Sequence, residues 1–412
     1  MTVAPSSGDV FRSAFRHRAF ALFWFARVCS MLALQMQVVA VGWQVYDLTG
    51  NPLDLGLVGL FQFLPTLALA LVAGHVVDSH DRKGVLLGAL SVELVAIAAL
   101  LTMTLAGALA PLAIFCIVAL IGAAKSFEGP ANQAILSATV PVEDLPNAVA
   151  WHSSGVQVAL ISGPALGGLL YIAGPAAVYG ASTVMMLLSV TLILAMRPRP
   201  VTMTKRAMSL TNMLAGAAFI RSRPEILGAI SLDLFAVLLG GATALLPIYA
   251  RDVLHVGPWG LGLLRSAPAL GALITAVCIT RWGVRRHAGR WMLIAVAGFG
   301  AATIAFGLSA DPVLSFAALF AVGATDQISV FVRQTLVQLS TPDDMRGRVG
   351  AVASLFIGAS NQLGEFESGA LAAALGVVPA VVLGGVGAVG LAAAWAWRFP
   401  ALRRIDRLSS LR

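Results

Sequence analysis

The sequence predicts an all-α membrane protein whose twelve transmembrane helices form two pseudo-symmetric six-helix bundles. Three observations lead there. Hydrophobic residues make up 58% of the 412 and charged residues 11%, against a charged share of about a quarter in soluble proteins; a single soluble core could not hide that much apolar surface. Twelve apolar runs follow one another along the chain, each near the ~20 residues that a helix needs to cross a bilayer. The chain also nearly repeats itself 201 positions apart. Gly122-Ala123, Gln133, Pro141, Glu143, Ala150, Ser153, Gly163, Gly168 and Leu170 recur as Gly323-Ala324, Gln334, Pro342, Asp344, Ala351, Ser354, Gly364, Gly369 and Leu371. A two-fold repeat inside a membrane chain is a mark of secondary transporters.

The spans of the first half are expected at 20–46, 54–77, 84–107, 111–137, 147–172 and 175–196. Those of the second fall at 225–250, 258–281, 291–309, 312–339, 349–375 and 377–398. Several connections are short and carry Pro or Gly at the turn, as at Ala110-Pro111, Gly174-Pro175, Asp311-Pro312 and Val378-Pro379, so the spans they join are antiparallel neighbours. The expected organisation is a six-helix bundle over 1–196, a cytoplasmic linker over 197–224, a second bundle over 225–398 and a basic tail over 399–412. The linker carries six cations. Its Leu210, Leu214 and Phe219 suggest a short helix on the membrane surface, although a polybasic tether is the plainer reading.

Orientation follows from the cations. With the N-terminus inside, 22 of the 27 Lys and Arg residues fall in cytoplasmic segments and only Arg251 falls outside. That bias is expected to place both termini in the cytoplasm. The start does not read as a cleavable signal, because polar residues and Arg12, Arg16 and Arg18 precede an apolar run too long for one.

The net charge of +8 is spread between apolar runs rather than gathered in a patch, which points to topology and the lipid bilayer and away from nucleic acid. Cys29, Cys116 and Cys278 lie within apolar stretches, with no metal-ligand spacing, and are expected to be structural thiols. Gly385, Gly387 and Gly390 fit a dinucleotide pattern but sit inside span twelve, where helix packing is the better reading. No phosphate-binding loop and no nucleophile–base constellation is found, so no enzyme activity, cofactor or metal is expected. A membrane-embedded sensor or enzyme is the remote alternative.

Charges within spans are functional candidates because they are costly in a bilayer. The cations are Arg27, Lys125, Arg265 and Arg333; the anions are Glu93, Glu128, Asp233, Asp326, Glu365 and Glu367. Lys125 and Glu128 are three apart on one helix face and are expected to neutralise each other. The repeat sets Lys125 against Asp326, Asn132 against Arg333 and Pro164 against Glu365. The proton-coupling candidates are Asp326, Glu128 and Glu365, with Lys125. A pair between Arg333 and Asp233 reads as structural. Arg27 is expected to snorkel, and Glu93 to stay near the outer layer of its bundle. Arg27, Gln35, Gln62, Gln157, Gln327 and Asn361 are candidates to meet substrate.

The loop between spans two and three, from Gly74 through Asp78, Asp81, Arg82 and Lys83 to Gly84, resembles the signature loop of the major facilitator superfamily. Leu245 to Asp252, Arg333 to Leu336, Thr341 to Arg348 and Ser360 to Gly369 resemble the branch that contains the bacterial enterobactin exporter and macrolide-efflux-type carriers. Residues 16–398 share the likeness. It implies a cytoplasmic gate formed by Gly74, Asp78, Asp81, Arg82, Lys83 and Arg348. Gly163-Pro164, Gly167 and Gly168 resemble the span-five signature of proton-coupled exporters, with Ala159 departing from it upstream. The implied function is export of a small organic molecule, siderophore-like or drug-like, by a monomer using proton antiport and alternating access. An importer or facilitator of a metabolite is the alternative.

Overall fold

Proline opens many of the helices. In the computed structural model, which describes residues 13–199, 210–283 and 287–406, α1 spans Arg18–Thr49, α2 Pro52–Ser79, α3 Arg82–Leu105, α4 Pro111–Thr139, α5 Leu145–Leu170 and α6 Pro175–Ala195. A short α7, Leu210–Ser222, precedes α8 Pro224–Leu239, α9 Gly257–Trp282, α10 Ala288–Leu308, α11 Pro312–Ser340, α12 Asp343–Leu375, α13 Val377–Arg398 and the terminal turn α14 Pro400–Arg404. Pro111, Pro175, Pro224 and Pro312 stand at first positions, where the missing N–H is no loss and the fixed φ suits a helix. No β-strand occurs among the described residues. The fold is the expected all-α membrane architecture of twelve long helices, α1–α6 and α8–α13.

The repeat holds at the level of elements. The bounds of α4 and α11 are displaced by 201 residues at both ends, and each helix has 29 residues. Among the described residues, eleven helices are long and apolar enough to cross a membrane. The twelfth, α12, has 33 residues and is ~50 Å long at 1.5 Å per residue; Arg346, Arg348, Glu365 and Glu367 lower its apolarity.

Span seven departs from the expected single run over 225–250. After α8 ends at Leu239 the chain passes Gly240-Gly241, then a 3₁₀ turn Ala242–Leu245, one helical turn Leu246–Ile248 and a π-helical turn Tyr249–Val253. The cause is local. A Cβ on Gly241 would lie 2.7 Å from Ser368 Oγ of α12, and Pro247 has no N–H to continue a helix.

The chain forms two compact units, Met1–Val41 with Leu64–Met208, and Gly42–Phe63 with Ser209–Arg412. In the first, Phe20, Phe23, Leu86, Ile97, Ile135, Met186 and Ile193 form the core. Helix α5 lies on α1 along a row of small residues. A Cβ on Gly167 would lie 2.8 Å from Met36 Cα, and one on Gly155 would lie 2.9 Å from Trp24 Nε1. Trp24 Nε1 donates to the Trp151 carbonyl at 2.7 Å.

In the second unit, Ala229, Leu232, Met292, Val332 and Leu336 form the core. Where a tether is the plainer reading of the sequence, the second half of the linker is helical, as α7. It packs within this unit, its Met213, Phe219 and Ile220 joining Ile226, Ile230, Val349 and Val352, while Leu214 is exposed.

Candidate functional site

Each unit buries a charge cluster among apolar helices. In the first, Arg27 of α1 donates from Nη1 to Glu128 Oε1 of α4, and their side chains are 16% and 6% exposed. Asn132 Nδ2, one turn along α4, donates to the same oxygen at 3.4 Å. Glu128 is therefore held by Arg27 from another helix, not neutralised by Lys125 on its own. Arg27 does not snorkel, because a buried guanidinium with a carboxylate in reach is better satisfied by pairing. Glu93 of α3 is not in the outer layer: it is fully buried, and neither carboxyl oxygen has a hydrogen-bond partner among the described residues. Lys125 is half-buried. His152 of α5 stacks on Phe23, with centroids 5.7 Å apart and ring planes 13° from parallel.

In the second unit Arg333 of α11 meets Asp233 of α8 at 3.2 Å, with 4% and 5% of the side chains exposed. This is the pair expected from the sequence. Asp326 lies two turns before Arg333 on α11 and shares one small cavity with Asp233, Ser329, Ala236, Val237, Ala295, Val296 and Phe299. Glu365 of α12 sits at the seam with α2, where a Cβ on Gly59 would lie 2.7 Å from its Oε2. Arg265 of α9 is its electrostatic neighbour.

The two ion pairs use corresponding helices, the first and fourth of each repeat, with the signs exchanged. The first unit has its arginine on α1 and its carboxylate on α4; the second has its carboxylate on α8 and its arginine on α11. Each unit thus keeps a charge pair across two of its helices. A separate group lies at the end of α1 within the second unit. Tyr46 Oη donates to Asp252, and Arg251 Nη1 donates to Asp47 at 2.8 Å.

The remaining candidates are dispersed. Gln35 packs against Gly163, where a Cβ would lie 3.4 Å from its Cγ. Asn361 donates to its own helix at the Ile357 carbonyl, 2.9 Å away. Gln62, Gln157 and Gln327 are half-buried on α2, α5 and α11. Pro164, Gly163, Gly167 and Gly168 are buried in α5.

Of the loop residues, Gly74 is buried and Asp78 half-buried near the end of α2. Asp81 caps α3, accepting from the Lys83 and Gly84 amides at 3.3 and 2.9 Å. Lys83 Nζ donates to the Leu194 and Met196 carbonyls at 2.9 and 2.7 Å, tying α3 to the end of α6. Arg82 opens α3, and the exposed Arg348 approaches Met345 Sδ at 3.3 Å. The capping role was readable from an aspartate just before a helix start. The reach of Lys83 was not, since its partners are 111 and 113 residues away. Among the described residues no group of His, Cys, Asp and Glu could hold a metal ion.

A family model described as a transmembrane secretion effector matches residues 11–412. The enterobactin exporter EntS of Citrobacter koseri is 28% identical over 366 residues, covering 88% of this chain and 86% of that protein. The crystal structure of the nucleoside transporter NupG superposes with a TM-score of 0.71 at 14% identity, over 94% of this chain and 99% of that one. A bacterial homologue of the human lysosomal transporter Spinster, in an inward-facing and occupied conformation, gives 0.72 at 14% identity, over 94% and 98%. The two solved structures establish likeness of fold.

Proposed function

Because the chain belongs to the transmembrane secretion effector family, within the major facilitator superfamily, we propose that it is a secondary active exporter of a small organic molecule, siderophore-like or drug-like, driven by proton antiport. It is a multi-pass membrane transporter; direction, cargo and driving ion are the proposal. The likeness to an enterobactin exporter over most of both chains supports export. The proposed setting is the inner membrane of a bacterium, with both termini cytoplasmic and the protein monomeric. The two repeats, divided by the linker at 197–224, would alternate access.

The observation that carries the proton-coupled reading is the cluster of Asp233, Asp326 and Arg333. Two carboxylates share one small cavity, and one of them holds the arginine. A proton is the natural partner for the other. Desolvated carboxylates are the groups that can take up and release protons near neutral pH, and Asp326 is the proposed carrier here. Glu128 and Glu365 are the further candidates, with Lys125 beside Glu128. Gly74, Asp78, Asp81, Arg82, Lys83 and Arg348 are proposed to gate the cytoplasmic end, and the glycine–proline run of α5 to shape an exporter.

The test is reconstitution in proteoliposomes with a pH dye inside, using enterobactin as a tris-catecholate probe and ethidium as a cationic drug probe. The expected result is probe-dependent proton movement opposite to the probe, abolished by a protonophore. Transport that persists unchanged after the gradient collapses, with no proton movement, would overturn antiport. Asp326→Asn should uncouple the two fluxes; an unchanged pH dependence would remove Asp326 as the carrier.

A further inference from the structure

We propose that Glu93 is a second proton-binding residue, in the interior of the first unit, whose protonation decides whether Arg27 stays on Glu128. The proposal deepens the proton-coupled reading and rests on it for its consequence in transport.

Glu93 is 0% exposed. It sits on α3, which packs against α4 and α6 and carries Leu86, Leu90 and Ile97 of the apolar core. The charged groups around it are Glu128 and Lys125 of α4 and Arg27 of α1. From α6 the buried polar groups are Ser182 and Ser189, both 0% exposed and with no hydrogen-bond partner among the described residues.

An ionised carboxylate is stable in such a place only if a cation and hydrogen-bond donors face it. Glu93 has neither donor nor direct cation, because the one buried guanidinium nearby is bound to Glu128. In this arrangement the neutral acid is the form that fits. Two carboxyl groups therefore compete for Arg27, and one proton settles the competition. When the O–H bond of Glu93 breaks and the proton passes to water, the new carboxylate draws on Arg27 or Lys125, and the link between α1 and α4 loosens. When the proton returns, Arg27 returns to Glu128. A proton is thereby converted into a change of contact between helices of one bundle.

The experiment is pH-difference infrared spectroscopy of the full-length protein in lipid, which reads the C=O stretch of protonated carboxyl groups. The expected result is a band present in the wild type and missing in Glu93→Gln. An unchanged spectrum in E93Q would overturn the proposal. If E93Q fails to fold, Glu128→Gln decides: it frees Arg27 for Glu93, so the band should weaken at a given pH, and a band unchanged from wild type would overturn the proposal.

In proteoliposomes, E93Q, which keeps Asp326, should release fewer protons per enterobactin moved than wild type while enterobactin counterflow persists; a ratio equal to wild type would overturn the transport role. Wild type that shows the band but moves no protons would defeat the antiport reading while supporting proton binding at Glu93, so the two failures are distinguishable.

Discussion

Asp233 and Arg333 meet at 3.2 Å in an interior that leaves 5% and 4% of their side chains exposed. Removing one partner of such a pair strands the other charge, which costs about 3–5 kcal/mol. Arg333→Met alone should therefore lower the unfolding temperature in detergent sharply. The double variant Asp233→Leu with Arg333→Met should recover most of the loss, because it leaves no orphan. Equal stability of R333M and wild type would show that the pair is not formed.

The contact between α1 and α5 makes a sharper contrast. A Cβ on Gly167 would press on the Met36 backbone, at 2.8 Å from Cα and 2.9 Å from the carbonyl oxygen. Backbone cannot swing aside as a side-chain tip can, so Gly167→Ala should destabilise by about 1–3 kcal/mol. Gly180 on α6 has nothing within 4 Å of its would-be Cβ. Gly180→Ala should be neutral or stabilising by ~0.5–1 kcal/mol, as for a helix interior. Thermal unfolding of the two variants side by side checks the order.

Asp81 accepts two amide hydrogen bonds at the start of α3. Asp81→Ala should cost about 1 kcal/mol, and Asp81→Asn much less, since asparagine also caps well. Faster amide exchange at Lys83 and Gly84 in D81A would locate the effect at the helix end. Exchange unchanged from wild type would assign Asp81 no capping role.

Arg251 and Asp47 give the opposite expectation. Their side chains are 42% and 56% exposed, and exposed pairs contribute about 0–1 kcal/mol. Arg251→Ala should leave unfolding nearly unchanged at moderate salt. A loss comparable with that of R333M would show that this group is far better shielded than its exposure indicates.

Much of the fold was legible in the sequence. The starts of α4 and α11 follow from a proline ahead of an apolar run, and their shared offset follows from the repeat. The break in span seven was hidden because Gly240-Gly241 reads as ordinary small-residue packing until Gly364 and Ser368 of α12 are seen beside it. The clusters were legible only in part. Arg27, Glu93, Lys125 and Glu128 stood out as charges within spans, but their partners did not, because Arg27 and Glu128 are 101 residues apart. In a membrane chain the lipid-facing and core-facing sides of a helix are both apolar, so periodicity gives little sign of which way Glu93 points. The partner of Arg333 was found because span seven offers a single carboxylate near the right depth.

Gly155, Ala159, Gly163 and Gly167 stand one turn apart along α5, and three of them face α1 side chains or backbone. A ladder of equal rungs has a property that a single tight contact lacks. Shifted along its axis by one rung, four residues or ~6 Å at 1.5 Å per residue, it presents α1 with nearly the same groove; shifted by half a rung, it presents bulk. Any sliding of α1 on α5 would therefore go by whole rungs. A one-residue deletion between Gly155 and Gly163 would put the rungs on either side of it out of phase by about 100°, a harsher lesion than most substitutions at the rungs themselves.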